Sequence, residues 1–269
     1  MTAIVWDESA DRLYETGIDH VVLYKLNASG LYTGGVAWNG VTALNENPSG
    51  ADPTDLWADN IKYLSIRAAE QFGFGIEAFT YPDEWMECDG SVEPTPGLVI
   101  GQQSRKPFGL SYRTIVGNDI KDNDYGYKLH LVYNATASPS SRSYQTVNDS
   151  PDAITFSWDC TTTPIVVNGH SEMKPTSLLT IDSTKVDETK LNALKAILYG
   201  IDAPEFSTTR TYPAGSYVTH ENKVYTNAAA IETAGAWNAS NWTEIENPEP
   251  RLPLPDEVIT LLTPADNNG

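Results

Sequence analysis

Alternating apolar and polar positions predict that most of this chain folds as β-strands. β-branched and aromatic residues are concentrated at 18–26, and similar stretches follow at 31–44 and 61–66. Residues 71–81 alternate most regularly, with one face formed by Phe72, Phe74, Ile76 and Ala78 and the other by Gln71, Gly73, Gly75 and Glu77. A period of two residues is typical of a strand that buries one face, so this strand is predicted to be half-buried.

A long β-hairpin is predicted from residues 108–116 and 125–133, with its tip at 117–124. Shorter strands are predicted at 153–158, 165–167 and 177–181. The strands at 71–81 and 108–133 contain few of the charges and prolines that blunt a sheet edge. We therefore expect them to present open edges through which copies of the chain pair.

One amphipathic helix is predicted at residues 187–199. Leu191, Leu194 and Leu198 recur at three- and four-residue steps, which places them on one helical face. Asp187 is a good N-cap, and Gly200 is predicted to end the helix as a left-handed C-cap. A single amphipathic helix among many strands needs a sheet to cover. The predicted fold class is therefore mainly β (α+β), with one flanking helix.

Composition changes after Gly200. The segment 211–245 has no Leu and contains the aromatic residues Tyr212, Tyr217, Tyr225, Trp237 and Trp242. Such a density predicts a small all-β module built on aromatic packing. Residues 251–262 are predicted to be extended, because Pro253 and Pro255 restrict the backbone. We therefore divide the chain into a body, 1–203 with 251–269, and an inserted module, 204–250.

The charge of the chain excludes some functions. Its 269 residues include 17 Lys+Arg against 36 Asp+Glu, a formal net charge of −19. A protein that grips nucleic acid needs cations to replace the phosphate counterions, so this chain is predicted to repel DNA. Residues 1–11 lack the basic and apolar regions of a secretory signal, and no apolar run is long enough for membrane insertion. The 2 Cys residues are too few for a disulfide scaffold.

The sequence carries no recognisable motif for catalysis, metal binding or cofactor binding. The 4 His residues lie in separate segments, and there is no CxxC, phosphate-binding glycine loop or GxSxG motif. We therefore predict no catalytic residue, no metal site and no cofactor. The acidic segment 81–97, with Asp83, Glu84, Glu87 and Asp89, has the ligand types for Ca²⁺ or a carboxylate pair, but a solvated loop is the favoured interpretation.

Several stretches of the body resemble the major tail proteins of long, flexible-tailed bacteriophages. The most specific are ADPTDLWADN at 51–60 and QSRKPFGLSYRT at 103–114. KVDETKLNALKAILYG at 185–200 and RLPLPDEVITLL at 251–262 fit the same family. The resemblance covers nearly all of residues 1–200 and 251–262. It implies a non-catalytic tail-tube subunit with a β-sandwich or split-barrel fold.

The resemblance also implies partners and a location. Subunits of this family form stacked rings, usually hexameric, around a tape-measure protein, and the tube is completed by tail terminator and tail-tip proteins. The protein would be made in the bacterial host cytoplasm and would reside in the virion tail. An acidic inner wall lets phage DNA pass without specific binding. The candidate channel-lining residues are Glu77, Asp119, Asp122 and Asp124.

The segment 212–245 resembles the short chitinase-type carbohydrate-binding modules, in a pattern that includes Gly215 and Val218. That resemblance implies weak binding to surface glycans, with four aromatic contact candidates: Tyr212, Tyr225, Trp237 and Trp242. A decoration that binds nothing is an equal alternative. Two other functions remain open for the whole chain. One is a secreted carbohydrate-binding protein or a fragment of a glycan-degrading enzyme, and the other is an acidic enzyme of unknown type.

Overall fold

The computed structural model describes residues 4–50, 52–146, 152–246 and 249–263. The outer ends of the predicted body and residues 247–248 of the predicted module lie outside the described residues. The strands are β1 (Leu13–Leu26), β2 (Tyr32–Ala37), β3 (Val41–Glu46), β4 (Ser49–Gly50), β5 (Pro53–Ala58), β6 (Ile61–Arg67), β7 (Glu70–Gln71), β8 (Gly73–Ala78), β9 (Val92–Thr95), β10 (Leu98–Ile100), β11 (Phe108–Asn118), β12 (Asp122–Ala137), β13 (Phe156–Thr162), β14 (Leu178–Asp182), β15 (Tyr217–His220), β16 (Lys223–Thr226), β17 (Thr243–Glu244) and β18 (Arg251–Leu252). The helices are α1 (Met86–Asp89), α2 (Glu188–Tyr199) and α3 (Pro255–Leu262), with two short 3₁₀ turns.

The fold is mainly β, as the alternation predicts. One antiparallel sheet runs in the order β18-β2-β1-β11-β12-β13-β8-β3, and β14 also pairs with β12. The hairpin β11–β12 lies at its centre, with Tyr112 opposite His130. The structure therefore contradicts our expectation about open edges at 71–81 and 108–133, since β8, β11 and β12 each have a strand on both sides.

A separate hydrophobic core covers each face of this sheet. On one face, Trp38, Trp85 and Trp158 pack together, with ring centroids 4.6–5.6 Å apart. This tryptophan core also includes Phe74 and Phe108. On the other face, the helix core is formed by side chains of α2 and α3 packed on β1, β12 and β14. The two cores explain why central strands such as β11 are apolar on both faces over their first half.

Helix α2 begins and ends where its pattern predicts. The Asp187 carboxylate accepts hydrogen bonds from the Thr189 and Lys190 amides, and Leu191, Leu194 and Leu198 are buried. Gly200 has the predicted positive φ of +78°, but its ψ of 176° is extended, so the chain leaves the helix without a left-handed cap.

The extended path predicted for 251–262 is wrong beyond its first residues. After β18, Pro255 occupies the first turn of α3, where a missing amide proton costs nothing. Val258 of that helix is buried in the helix core. In the described part of the body, α3 therefore packs in the helix core beside α2.

The prediction of an acidic loop at 81–97 is also wrong. Residues 83–89 form a 3₁₀ turn and α1, which bury Trp85 and Cys88 in the tryptophan core. The Asp89 carboxylate pairs with both Arg105 and Arg142. Arg105 also donates to the carbonyl oxygens of Ala137 and Ser138. These ion pairs tie the acidic segment to the end of β12, and they give the Asp89 carboxylate a structural role.

The inserted segment forms a small β-module, with β15, β16 and β17 in one sheet. Glu221 and Asn222, at φ of +50° and +62°, make the two-residue turn between β15 and β16. The amide side chain of buried Asn227 bonds the Ser216 amide and the carbonyls of Tyr212, Pro213 and Ala229. Asn227 therefore holds the loops of the module around its aromatic cluster.

Candidate functional site

The part of the main sheet nearest the hairpin tip is a four-stranded unit with two unpaired edges. Its order is β1, β11, β12 and β14, all antiparallel. Residues 13–19 of β1 pair only with β11, because β2 joins β1 from Val22 onward. Strand β14 pairs only with β12. Within the described residues, both outer edges therefore present backbone groups with no strand partner.

The two faces of this four-stranded unit differ in chemistry. The face that α2 covers carries Leu129, Leu131 and Ile181 in the helix core. There, Arg113 donates two hydrogen bonds to the Asp19 carboxylate, at 2.7 and 2.6 Å. The opposite face carries polar side chains beyond the tryptophan core. We call it the polar face, and it consists of Glu15, Tyr112, Thr114, Lys128, His130, Thr180 and Asp182, with Glu46 from β3 beside them.

His130 lies at the centre of the polar face, where it is 7% exposed and stacks on Tyr112 with ring centroids 4.5 Å apart. The Thr114 hydroxyl donates to Glu15 at 2.6 Å and lies 2.9 Å from His130 Nε2. Since that hydroxyl proton is used, Nε2 carries a proton and donates to Thr114. His130 Nδ1 then accepts from Thr180 Oγ1 at 3.3 Å.

Two carboxylates flank the imidazole of His130, but they do not raise its pKa above the ordinary value. Glu15 and Glu46 lie 3.8 and 4.0 Å from its nitrogens. Burial nevertheless lowers the pKa of His130, and the two carboxylates oppose that effect only in part. Burial also acts on Glu15, but hydrogen bonds from Lys128 and Thr114 lower the pKa of that carboxyl overall. The polar face therefore has a neutral histidine beside the charged Glu15 carboxylate at neutral pH.

An exposed apolar hairpin projects from the body. Among the described strands, β5 and β6 pair only with each other, and every residue in them is exposed. We call residues 53–67 the arm. Its large exposed side chains are Leu56, Trp57, Ile61, Tyr63, Leu64 and Ile66. Leu56 lies opposite Leu64 in the register. A concentrated apolar surface of this kind makes the arm a candidate interaction site.

The predicted channel-lining residues fall in two distant places. Asp119, Asp122 and Asp124 lie at or beside the tip of β11–β12, and Asp119 accepts a hydrogen bond from the Ala10 amide. Glu77 lies on β8 opposite Ser157, beyond the far end of β12. The 15 residue steps of β12 correspond to roughly 50 Å of strand. The structure therefore does not bring Glu77 together with the tip.

The predicted glycan-contact residues belong to one aromatic cluster. Tyr212 and Trp242 are 8% and 7% exposed and form its core with Val218. Tyr225 and Trp237 are partly buried against that core. Trp237 stacks on His220 with centroids 4.0 Å apart. Tyr212 and Trp242 therefore act as packing residues, and only Trp237 and Tyr225 keep surface for a ligand.

The described residues were also compared with the requirements of a metal site and of a membrane-spanning helix. Where the structure describes the chain, no group of three or more His, Cys, Asp or Glu side chains is placed to hold a metal. Within those ranges, every helix is too short or too polar to span a bilayer.

Sequence reasoning did not single out Glu15, Glu46, His130 or the arm. The signal for the arm was present, since its strands are apolar on both faces between turn-forming residues. The grouping of Glu15, Glu46 and His130 depends on strand register, which the sequence does not reveal.

No protein-family model matches this chain, and no curated protein matches it.

Proposed function

We propose that this chain is a structural subunit of a bacteriophage tail tube. Copies assemble into stacked rings, hexameric as the sequence resemblance implies, and form a conduit through which DNA passes to the host. The chain carries out no catalysis in this role. Its partners are other copies of itself, a tape-measure protein inside the tube, and tail terminator and tail-tip proteins at the ends.

The observation that carries the proposal is the four-stranded unit with two unpaired edges. The strands alternate in direction, so β1 and β14 run antiparallel to each other. The outer edge of β14 in one copy can therefore accept residues 13–19 of β1 from the next copy as an antiparallel neighbour. The two edges differ, so this contact is head-to-tail, and head-to-tail contacts form a ring when the rotation between neighbouring copies closes a full turn. A closed ring leaves no open edge.

The proposed ring has a definite orientation. Helix α2 covers one face of the four-stranded unit, so that face is directed outward. The polar face then lines the channel. Its carboxylates are Glu15, Glu46 and Asp182, with the tip acids Asp122 and Asp124 at one end. Lys128 and Lys185 offset part of this charge. The wall is acidic in net terms and repels phosphate.

The arm supports assembly in the direction along the tube, where one ring stacks on the next. An apolar hairpin exposed on both sides is costly in a single chain, and docking on a neighbouring copy removes that surface from water. The module is proposed to decorate the outside, because the channel must stay open. Weak glycan binding through Trp237 and Tyr225 would gain avidity from repetition along the tube. A decoration that binds nothing is the alternative.

The experiment is electron microscopy of purified protein with one edge variant and one control. The wild type is expected to form rings or hollow tubes. Thr16→Lys places a charge on the unpaired part of β1 and is expected to abolish rings while the monomer stays folded. Thr233→Lys makes the same change at an exposed position of the module and is expected to assemble normally. Dispersed monomers for the wild type under all conditions would refute the proposal.

A further inference from the structure

An open groove lies at the base of the arm. It has a volume of about 820 Å³ and runs between residues 67–70 and the loop 163–176. Ala68, Ala69, Pro164 and Pro175 form an apolar floor, with Arg67 and Lys174 beside it and one carboxylate, Glu70. Among the described residues, neither Arg67 nor Lys174 makes an ion pair. Two cations and a single carboxylate around an apolar floor give the groove a net positive charge, which contrasts with the net charge of −19 of the whole chain.

A segment with the complementary chemistry is exposed elsewhere in the same chain. Residues 4–8 have the sequence IVWDE, three apolar residues followed by two acids. Ile4, Val5 and Trp6 are 75%, 65% and 75% exposed. Large apolar side chains this exposed indicate a surface that another molecule covers. The acids Asp7 and Glu8 carry charge opposite to the net positive charge of the groove.

The segment cannot reach the groove of its own chain. Ala10 is held at the hairpin tip by hydrogen bonds with Asp119 and Asn118. Ile4 is six residues away and so lies within about 20 Å of that point. The groove begins beside Thr163, whose amide bonds the Asn134 carbonyl. Asn134 is 12 residues along β12 from the tip, roughly 40 Å of strand.

We propose that residues 4–8 of one copy dock in the groove of a second copy, with Ile4, Val5 and Trp6 on the apolar floor and Asp7 and Glu8 beside Arg67 and Lys174. This inference rests on the proposed self-assembly. It adds a contact between copies that is separate from the pairing of sheet edges. The docked segment removes the apolar trio from water and neutralises both cations.

The test is photo-crosslinking in the full-length protein. A benzophenone amino acid replaces Trp6, and this chain is mixed with ¹⁵N-labelled wild type so that mass spectrometry separates crosslinks between chains from those within one chain. Crosslinks to 67–70 or 163–176 of the labelled chain are expected. Arg67→Glu in the labelled chain should lower their yield by about tenfold through like-charge repulsion. Arg210→Glu, an equal charge change in the module, should leave the yield unchanged.

The outcomes separate this inference from the proposed function. Tubes that form while Trp6 crosslinks elsewhere, or only within its own chain, would overturn the docking and leave the tube proposal standing. A wild type that stays monomeric in sedimentation would overturn both. Asp7→Lys combined with Glu8→Lys should lose the crosslink with wild-type partner and regain it with the double variant Arg67→Glu, Lys174→Glu. Failure of that regain would also count against the docking.

Discussion

The arm offers the sharpest test of self-assembly, through Trp57. This side chain is 68% exposed, and a tryptophan presents about 250 Å² of surface, so docking on a neighbour removes roughly 170 Å² from water. At about 25 cal/mol per Å², the contact contributes about 4 kcal/mol. Trp57→Ser is expected to remove most of that. Because every 1.4 kcal/mol is a factor of ten, the critical concentration for assembly should rise by at least ~100-fold.

The assay is the concentration of protein left in the supernatant after assembled material is pelleted. Urea unfolding of the monomer should change by less than about 0.5 kcal/mol, since Trp57 makes few contacts in the folded chain. Tyr144→Ser is the matched control, because Tyr144 is 71% exposed but lies outside the arm. An unchanged critical concentration for Trp57→Ser would refute the assignment of the arm to assembly. An equal rise for Tyr144→Ser would show that the effect is not specific.

Three other predictions address the module, the polar face and the tryptophan core. Replacement of residues 211–245 by a short Gly/Ser linker should leave tube assembly intact under the microscope, and loss of tubes would place the module in the assembly interface. Burial lowers the pKa of His130 in the folded chain, so the unfolded chain binds a proton at this residue more readily than the folded chain does. The contribution of His130 to the free energy of unfolding should therefore be complete above pH ~6.5 and should be lost as the pH falls through the folded-state pKa. His130→Asn should flatten that part of a plot of unfolding free energy against pH, and an unaltered slope would exclude His130 as its source. Burial raises the pKa of Cys88 to about 12 and that of Cys160 further, so neither thiol should react with a thiol reagent until denaturant unfolds the chain; rapid labelling of the native protein would contradict their burial.

Strand periodicity and the start of a helix can be predicted from the sequence because they depend on neighbouring residues. The face of β8 with Phe74 and Ile76 and the start of α2 at Asp187 are both confirmed. The sequence pattern does not predict α3, because Pro255 is also compatible with an extended path. Proline is equally suited to the first turn of a helix, and the packing of Val258 in the helix core decides between the two.

The errors at 81–97 and at the sheet edges have a common physical origin. The pairing of Glu87 and Asp89 could not be predicted, because their partners, Lys106, Arg105 and Arg142, are distant in sequence. Whether a strand is an edge depends on which strands flank it, and no local pattern encodes that order. The candidate site shares this limit, since Glu15, Glu46 and His130 meet only through the register of four strands.

The two chain segments that connect the module to the body run side by side. Ile201 and Asp202 on one, and Glu249 and Pro250 on the other, line the same small cleft. The Gly35 amide of the body also donates to the Pro250 carbonyl at 3.0 Å, which fixes the point of return. The body contacts the module's connections at only two neighbouring points of the backbone. Its fold is therefore expected not to depend on which domain lies between them. Any domain whose own termini lie close together is expected to be tolerated at this position, and in the proposed tube such a domain would be displayed at regular intervals.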